Sequence, residues 1–276
     1  MKGILFIVAT PIGNLDDITF RAVEILKSVD MVLAEDTRHS KKLLLHLDIS
    51  KPIRAFHEHN ERKKTQTIID ELHFGKSVAL ISDAGTPLIS DPGYFLVAQA
   101  KKEGLKVVPI PGASALITSL SASGLASDSF TFFGFLPSKK TARVNLLKSL
   151  VYSTETSIFY ESPKRILATL VDMYSIFGDN REVCLAKELT KAFETIQTDS
   201  IPNIIKYLNI DKSHQKGEFV ILVSANDKID VAEAEIQLDS LLPILCAEMS
   251  ASKAAKLAAK ITGIDKKKCY KKAIDL

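Results

Sequence analysis

The sequence has few cysteines, and they lie far apart. Only Cys184, Cys246 and Cys269 occur among 276 residues. No CxxC pair is present, so the chain offers neither a disulfide framework nor a thiolate metal site. Long hydrophobic runs are also missing, because the apolar segment at residues 1–9 is shorter than a signal sequence or a membrane span. These absences favour a cytoplasmic protein with no membrane partner.

Several well-known catalytic signatures are absent as well. The chain has no GxGxxG and no GxxxxGK[ST] motif, so a nucleotide phosphate is not the obvious ligand. It has no GxSxG motif, which argues against a serine hydrolase, and Cys184 falls inside a predicted strand, which argues against a thiol nucleophile. A net charge of +3 permits an anionic partner without requiring one.

Apolar runs and helical patterns alternate over the first half of the chain. The predicted strands are Ile4–Val8, Met31–Ala34, Ile53–His57, a run from Val78 and Lys106–Ile110. Such alternation predicts a mostly parallel sheet covered by helices. We therefore predict an α/β fold whose first domain spans residues 1–115.

The pattern changes after about residue 115. Further strands are predicted at Phe130–Phe135, Thr156–Tyr160, Glu182–Ala186, Phe193–Gln197 and Glu218–Val223, with a helix at Pro163–Phe177 capped by Ser162. This pattern predicts a second α/β domain, residues 116–228, with a mixed sheet. We predict that residues 229–276 form a short helical tail with helices at Ser250–Thr262 and Lys266–Ile274.

Eight lysines lie in this tail, at positions 253, 256, 260, 266, 267, 268, 271 and 272. One interpretation is a solvated helical cap, which is what runs of charge usually are. The other is a small helix-turn-helix unit that contacts a phosphate backbone.

The segment Ser82–Gly93 is the most informative part of the chain. It follows an apolar run and precedes a helix, which is how α/β proteins build ligand sites at the carboxyl ends of strands. Asp91 suits an N-cap, Pro92 a first helical position and Gly104 a helix stop. Ser82–Pro87 has no such structural explanation, so we expect it to bind a ligand.

Three more loops of similar character follow predicted strands, namely Val8–Thr19, Ala34–His39 and Pro109–Ala115. Glycine and proline let the backbone approach a ligand closely, and exposed N–H groups can hold carboxylate or ribose oxygens. Each loop alone could be a tight turn. Four on one edge of a sheet indicate a shared site.

Polar side chains follow two of these strands. His57 and His59 share a face and suggest a metal, but no third ligand stands at a recognisable spacing. Asp36 and Arg38 form an ion pair by default. Together with Glu58 they would make a polar rim suited to an RNA ribose–phosphate.

Several motifs occur in an order that identifies a family. They are VATPIGNLDDIT from residue 8, AEDTR from 34, SDAGTPLISDPG from 82, ESPKR from 161 and KGEFV from 216. Over essentially the whole chain, the sequence resembles the ribosomal RNA small subunit methyltransferase I family of the tetrapyrrole methylase superfamily. Two positions depart from the usual motifs, with Ala113 in place of proline and Lys164 in place of histidine.

The resemblance implies an S-adenosylmethionine-dependent enzyme that methylates the ribose 2′-hydroxyl of a cytidine in 16S rRNA of the small ribosomal subunit, near the decoding centre. It also implies a homodimer, a cofactor cleft completed by the second domain, and no metal. Glu58 or His57 would accept the hydroxyl proton, with Asp36 and Arg38 orienting the ribose–phosphate. The residues expected to contact the cofactor are Pro11, Ile12, Asp83, Gly85, Thr86, Ser114, Ala115, Tyr160, Ala186 and Glu218.

Two other functions remain open from the sequence. A relative in the same superfamily could act on a tetrapyrrole or a protein side chain, although the lysine-rich tail argues against a tetrapyrrole. The chain could also be a non-catalytic RNA-binding or ribosome-assembly protein. The retained Asp83–Pro87 loop argues against this alternative, since cofactor binding would then be unnecessary.

Overall fold

The computed structural model describes residues 2–226 and 231–276. Contacts divide the chain into two compact units. Unit 1 contains the residues up to Ala122 together with Lys187–Thr195, and unit 2 contains Ser123–Ala186 and Ile196–Leu276. The domain boundaries predicted at residues 115 and 228 stay predictions, and the second of them lies at the edge of a stretch, residues 227–230, outside the described residues.

Unit 1 contains a parallel five-stranded sheet. Its strands are β1 (Ile4–Val8), β2 (Met31–Ala34), β3 (Ile53–Ala55), β4 (Val78–Ile81) and β5 (Lys106–Ile110). They are arranged in the order β3-β2-β4-β1-β5, and every pairing is parallel. The register sets Phe6 of β1 beside Ala79 of β4 and Val108 of β5. The predicted parallel sheet is therefore confirmed.

Five helices accompany this sheet in the described part of unit 1. They are α1 (Phe20–Ser28), α2 (Thr37–His46), α3 (Glu61–His73), α4 (Tyr94–Lys102) and α5 (Ala115–Ala122). Leu33 and Leu80 pack with α3 and α4 in one core, whereas Val32 and Ala79 pack with α1 and α2 in another. Alternate residues of the same strands thus serve opposite faces of the sheet, which explains why β2 and β4 are apolar throughout.

The helix α4 begins later than the sequence predicts. Gly93 is its N-cap at φ +130°, so the assignments of Asp91 as N-cap and Pro92 as first helical residue are wrong. The backbone N–H of Gly93 donates to the buried Glu61 carboxylate at 2.9 Å. A Cβ at Gly93 would lie 2.6 Å from Leu80 Cδ2. Because Gly93 packs so tightly, the loop makes its last bend at Gly93, and Asp91 belongs to the loop and not to the helix.

Unit 2 contains a mixed five-stranded sheet. Its strands are β6 (Phe130–Phe135), β7 (Thr156–Glu161), β8 (Glu182–Lys187), β9 (Thr195–Ser200) and β10 (Phe219–Val223), in the order β6-β7-β10-β8-β9. β7 pairs parallel with β6 and antiparallel with β10. The predicted mixed sheet is confirmed, although β9 begins at Thr195 rather than at the exposed Phe193.

Three α-helices cover this sheet in the described residues: α6 (Lys140–Ser149), α7 (Ile166–Phe177) and α8 (Ile201–Ile210). α7 begins three residues after Pro163, and its N-cap is Arg165, so the capping role predicted for Ser162 is wrong. The Glu161 carboxylate fixes the preceding turn, because it accepts hydrogen bonds from the backbone N–H of Ser162 and from the side chains of Arg165 and Thr169.

The C-terminal segment is helical, as predicted, and has a small core of its own. Its helices are α9 (Val231–Glu248), α10 (Ala251–Thr262) and α11 (Lys266–Ile274). Gly263 ends α10 in the left-handed conformation at φ +73°. The shared core contains Leu238, Leu242, Ala255, Ala258 and Cys269. Among the described residues, no helix combines the length and apolar character that a membrane crossing needs.

Candidate functional site

Five loops leave the carboxyl edge of the unit 1 sheet. They follow β1 to β5 in turn and lead towards α1 to α5, because all the pairings in this sheet are parallel. Parallel topology brings the carboxyl ends of strands to one edge, which is where α/β proteins bind ligands. The four loops singled out in the sequence, three of which contain glycine and proline, all lie at this edge.

The first and fourth loops are joined through their backbones. Thr10 donates its N–H to Gly85 O at 2.9 Å, and Gly85 donates its N–H to Thr10 O at 3.1 Å. The Thr10 hydroxyl also donates to Ser82 O at 3.2 Å, and both threonine and serine are buried. These bonds hold the two loops together in a fixed register.

Gly85 lies where the first, fourth and fifth loops meet. Its φ is +81°, and a Cβ there would stand 3.3 Å from Ile12 Cγ2 and 4.0 Å from Ser114 Cα. The Thr86 hydroxyl donates to Ala113 O at 3.1 Å. The structure therefore brings Ile12, Gly85, Thr86 and Ser114 together, with the buried Pro11 and the first residue of α5, Ala115, next to them in the chain.

Residues 187–195, which return to unit 1, pack against the first loop. A Cβ at Gly13 would lie 2.7 Å from both Leu189 O and Thr190 Oγ1. The Asn14 N–H donates to Thr190 Oγ1 at 3.0 Å. Glu188 and Thr190 adopt φ values of +51° and +63°, which are costly for residues other than glycine. The packing of this segment against the first loop was not predicted from the sequence, since the strained backbone has no local sequence signature.

Carboxylates from the second and fourth loops form one group. Asp36 donates its N–H to Asp83 Oδ1 at 3.0 Å. Burial raises the pKa of Glu35, and the charges of Asp83 and Glu58 raise it further, while His57 opposes them. Burial also raises the pKa of Asp91 to about 6, with Glu35 and Asp83 adding to the shift and a hydrogen bond with Ser82 opposing it. Sequence reasoning missed Glu35 and Asp91 as members of this group.

Asp36 and Arg38 form the predicted ion pair at 2.8 Å. Asp36 is also the N-cap of α2, because its carboxylate accepts the Arg38 N–H at 2.8 Å. Hydrogen bonds from the Arg38 side chain and backbone lower the pKa of Asp36. The Arg38 side chain is 89% exposed, so its guanidinium can also meet a ligand from solvent.

His57 and Glu58 differ in their access to solvent. His57 Nε2 accepts from the Asn60 side-chain amide at 2.8 Å, and the Asn60 carbonyl oxygen accepts the His57 backbone N–H. The buried His57 Nδ1 has no partner among the described residues. Glu58 is exposed. No cluster of three or more potential metal ligands occurs in the described part of the chain, so His57 and His59 have no third ligand there.

The three predicted cofactor residues of unit 2 lie towards one edge of its sheet. Tyr160 is near the end of β7, and its ring contacts Phe132 and Phe135 edge-to-face. Ala186 is fully buried near the end of β8. Glu218 is exposed and immediately precedes β10, whose first residue pairs with Glu161.

Two family profiles match the chain. The profile of the Tetrapyrrole (Corrin/Porphyrin) Methylases matches residues 5–205. The profile of the RsmI C-terminal HTH domain matches residues 231–276, which covers α9 to α11. Together the two profiles cover the strand-rich part of the chain up to β9 and the helical tail, but not β10.

Curated relatives resemble the whole chain. Ribosomal RNA small subunit methyltransferase I of Vibrio cholerae is 52% identical and covers 97% of this chain and 93% of its own length. The protein of the same name from Escherichia coli O157:H7 is 46% identical over 99% of this chain and 96% of its own length.

Solved structures share the fold at much lower identity. A diphthine synthase aligns with a TM-score of 0.61 and 15% identity over 81% of this chain and 90% of its own. Cobalt precorrin-4 methyltransferase aligns with a TM-score of 0.58 and 17% identity over 80% of this chain and 94% of its own. At such identities, the likeness concerns the fold and says nothing of the substrate.

Proposed function

We propose a specific reaction for this chain, which belongs to the tetrapyrrole (corrin/porphyrin) methylase family: it transfers a methyl group from S-adenosylmethionine to the ribose 2′-hydroxyl of a cytidine in 16S rRNA. The small ribosomal subunit is the substrate, and the cytidine lies near the decoding centre. The proposal includes a homodimer in the cytoplasm, as the resemblance implies. Close relatives named ribosomal RNA small subunit methyltransferase I support the choice of RNA.

The observation that carries the proposal is the meeting of three loops around Gly85. The backbone there leaves no room for a Cβ without contact to Ile12, so the loops form a glycine-lined cradle. The neighbouring carboxylates Glu35, Asp83 and Asp91 give this edge a negative character. S-adenosylmethionine carries a sulfonium cation and an ammonium group, so carboxylates and backbone donors suit it.

Bound S-adenosylmethionine would supply an electrophilic methyl group on its sulfonium. Pro11, Ile12, Asp83, Gly85, Thr86, Ser114 and Ala115 would hold it in unit 1. The roles of Tyr160, Ala186 and Glu218 as further cofactor contacts stay predictions from the resemblance. Fixing the ribose oxygen in line with the methyl group and its leaving atom would supply much of the rate.

We propose that Glu58 accepts the proton of the 2′-hydroxyl during methyl transfer. A ribose hydroxyl is a weak acid, so an acceptor at the reacting oxygen aids attack. Glu58 is exposed, whereas the Nε2 of His57 is engaged by Asn60 and its Nδ1 is buried. Within the proposal, His57 positions the loop and tunes Glu35, while Asp36 and Arg38 orient the ribose–phosphate.

The reaction is tested by locating the transferred methyl group. The purified protein is incubated with methyl-labelled S-adenosylmethionine and small subunits that lack the modification. Because a 2′-O-methyl blocks alkaline cleavage at that nucleotide, we expect the label in an alkali-resistant dinucleotide that contains cytidine. Label on a base or on ribosomal protein would refute the proposal. The absence of both transfer and cofactor binding would favour a non-catalytic RNA-binding protein.

The proton acceptor is tested with variants of Glu58 and His57. Glu58→Gln should lower kcat by about 10²–10⁴-fold and leave the Kd for S-adenosylmethionine unchanged. His57→Ala should lower kcat through the loss of loop positioning, and His59→Ala is its matched control on the neighbouring exposed position. Full turnover by Glu58→Ala would mean that another group accepts the proton.

A further inference from the structure

A groove on the C-terminal helices has no role in the proposed chemistry. Its volume is about 580 Å³, and it is lined by Ser252, Lys266, Lys267, Tyr270, Lys271 and Ile274. Five of these residues lie on one face of α11, at spacings of one, three, one and three residues, and Ser252 lies in the first turn of α10. The groove is therefore made from one helix face and the start of another helix.

The tail lysines divide into two groups by what they contact. Lys268 and Lys272 are paired with Glu235 and Asp239 of α9, and the Lys272–Asp239 distance is 2.7 Å. These two residues attach α11 to α9. The lysines of the groove are exposed and form no ion pair with a carboxylate in the parts of the chain that the structure describes. Their charge is free to meet an anionic ligand.

The position of the groove lysines is unfavourable for folding. Lys266 and Lys267 occupy the first turn of α11, directly after its N-cap Asp265, whose carboxylate accepts the backbone N–H groups of Lys267 and Lys268 and offsets part of the positive charge there. Cations destabilise the amino end of a helix, where the partial charge is already positive. The start of α10 adds to the same field, because Ser250 makes no side-chain cap there. Lysines at positions that disfavour helix formation indicate a surface selected to bind an anion.

An aromatic ring lies among these charges. Tyr270 is 43% exposed and Ile274 60% exposed, although both belong to the face that lines the groove. Aromatic side chains between phosphate-binding cations are typical of single-stranded nucleic-acid sites, where bases stack on the rings. The major groove of duplex RNA is too deep and narrow for side chains to read its bases. The combination therefore favours an unpaired strand.

We propose that this groove binds single-stranded RNA, with Lys266, Lys267 and Lys271 on successive phosphates and Tyr270 stacked on a base. The proposal rests on the proposed function for the identity of the strand, which would be an unpaired segment of the rRNA substrate. The tail thereby adds affinity for RNA at a surface that takes no part in methyl transfer.

The experiment measures binding of the full-length protein to a fluorescent single-stranded RNA of about 12 nucleotides by anisotropy. The test variant combines Lys266→Ala, Lys267→Ala and Lys271→Ala. Its matched control combines Lys253→Ala, Lys256→Ala and Lys260→Ala, three exposed lysines of α10 that lie outside the groove lining. Both variants lose the same charge, and alanine retains helix propensity.

We expect the groove variant to bind at least about tenfold more weakly near 0.1 M salt, while the control stays within about threefold of the wild type. Loss of three phosphate contacts should also reduce the slope of log K against log salt by about 2. Tyr270→Leu should weaken binding by about fivefold or more, and Tyr270→Phe should restore it, because stacking needs the ring and not the hydroxyl.

Three results would overturn the proposal that the groove binds RNA. The first is an equal loss of RNA affinity in the groove and control variants. The others are an unchanged affinity in Tyr270→Leu and tighter binding of duplex than of single-stranded RNA. Failure of the groove is distinguishable from failure of the proposed function. A wild type that methylates small subunits while the groove variant binds RNA normally refutes only the groove. A wild type that binds RNA through the groove but transfers no methyl group refutes only the reaction.

Discussion

Asp91 shows how one residue acquires an unusual environment in this fold. Its carboxyl is half-buried in the fourth loop, beside Ser82 and within the field of Glu35 and Asp83. Since Gly93 and not Asp91 caps α4, the carboxylate receives no helix N–H groups to offset its burial. Its pKa of about 6 follows from this lack of compensation together with the two like charges.

The raised pKa of Asp91 predicts a pH-dependent stability. The folded state holds the Asp91 proton up to about pH 6, whereas the unfolded chain loses it near pH 4. Stability from this residue is therefore present below pH 4 and is lost as the pH rises through 6. Asp91→Asn should raise Tm by about 2–4 °C at pH 7–8, a figure reduced for partial hydration of the carboxyl.

Thermal melts of the wild type and Asp91→Asn across pH 4–8 check this prediction. The advantage of the variant should shrink below pH 6 and vanish near pH 4. A difference in Tm that does not change with pH would show that the substitution acts through packing and not through the charge.

At the scale of single elements, the strands were easier to predict than the helices. β1, β2, β5 and β6 have the predicted bounds, because each is a short apolar run between turn residues. For α6 and α8 the sequence predicts helices between the strands but gives no bounds. The core-facing side of α6 includes the charged side chain of Arg143, which obscures its apolar pattern. In α8, Ile201, Ile204 and Leu208 repeat with a helical period that would have given its bounds.

The burial of the charged Arg143 side chain is explained by an ion pair between α6 and α7. Its guanidinium donates to Asp172 Oδ2 at 2.9 Å and 2.6 Å, and both side chains are less than a tenth exposed. A buried pair need not stabilise a protein compared with apolar residues. Removing Arg143, however, leaves the buried Asp172 carboxylate with the exposed Lys140 ammonium, 3.6 Å away, as a weaker partner.

Arg143→Met should therefore lower the free energy of unfolding by about 3–5 kcal/mol in urea denaturation. Arg54→Met is the control, because Arg54 pairs with Glu71 at the surface and its side chain is 44% exposed. The control should cost less than about 1 kcal/mol. Equal losses in the two variants would contradict the account of the α6–α7 contact.

At the scale of the whole molecule, a net charge of +3 conceals two regions of opposite character. Carboxylates gather at the carboxyl edge of the unit 1 sheet, and lysines that form no ion pair within residues 2–226 and 231–276 gather on the groove of α11. The first suits a cationic methyl donor and the second an RNA strand. Salt should therefore weaken RNA binding steeply while changing cofactor binding little.

The loops of the candidate site could be predicted from sequence, but their partners could not. Glycine, proline and polar residues after apolar runs mark the loops locally. The approach of Asp36 to Asp83 depends on β2 lying next to β4, which is a property of strand order. The packing of residues 187–195 against Gly13 depends on the chain returning to unit 1. Neither fact has a local signature.

The central claim is that the loops around Gly85 hold S-adenosylmethionine. Calorimetric titration of the cofactor into Gly85→Ala and Gly104→Ala tests it most directly. Both glycines have positive φ, +81° and +66°, so both substitutions strain the backbone alike. Only the Cβ at Gly85 enters the cradle, 3.3 Å from Ile12, whereas that at Gly104 meets open space. We predict that Gly85→Ala weakens cofactor binding at least about tenfold and that Gly104→Ala binds like the wild type. Equal affinity in the two variants would contradict the claim.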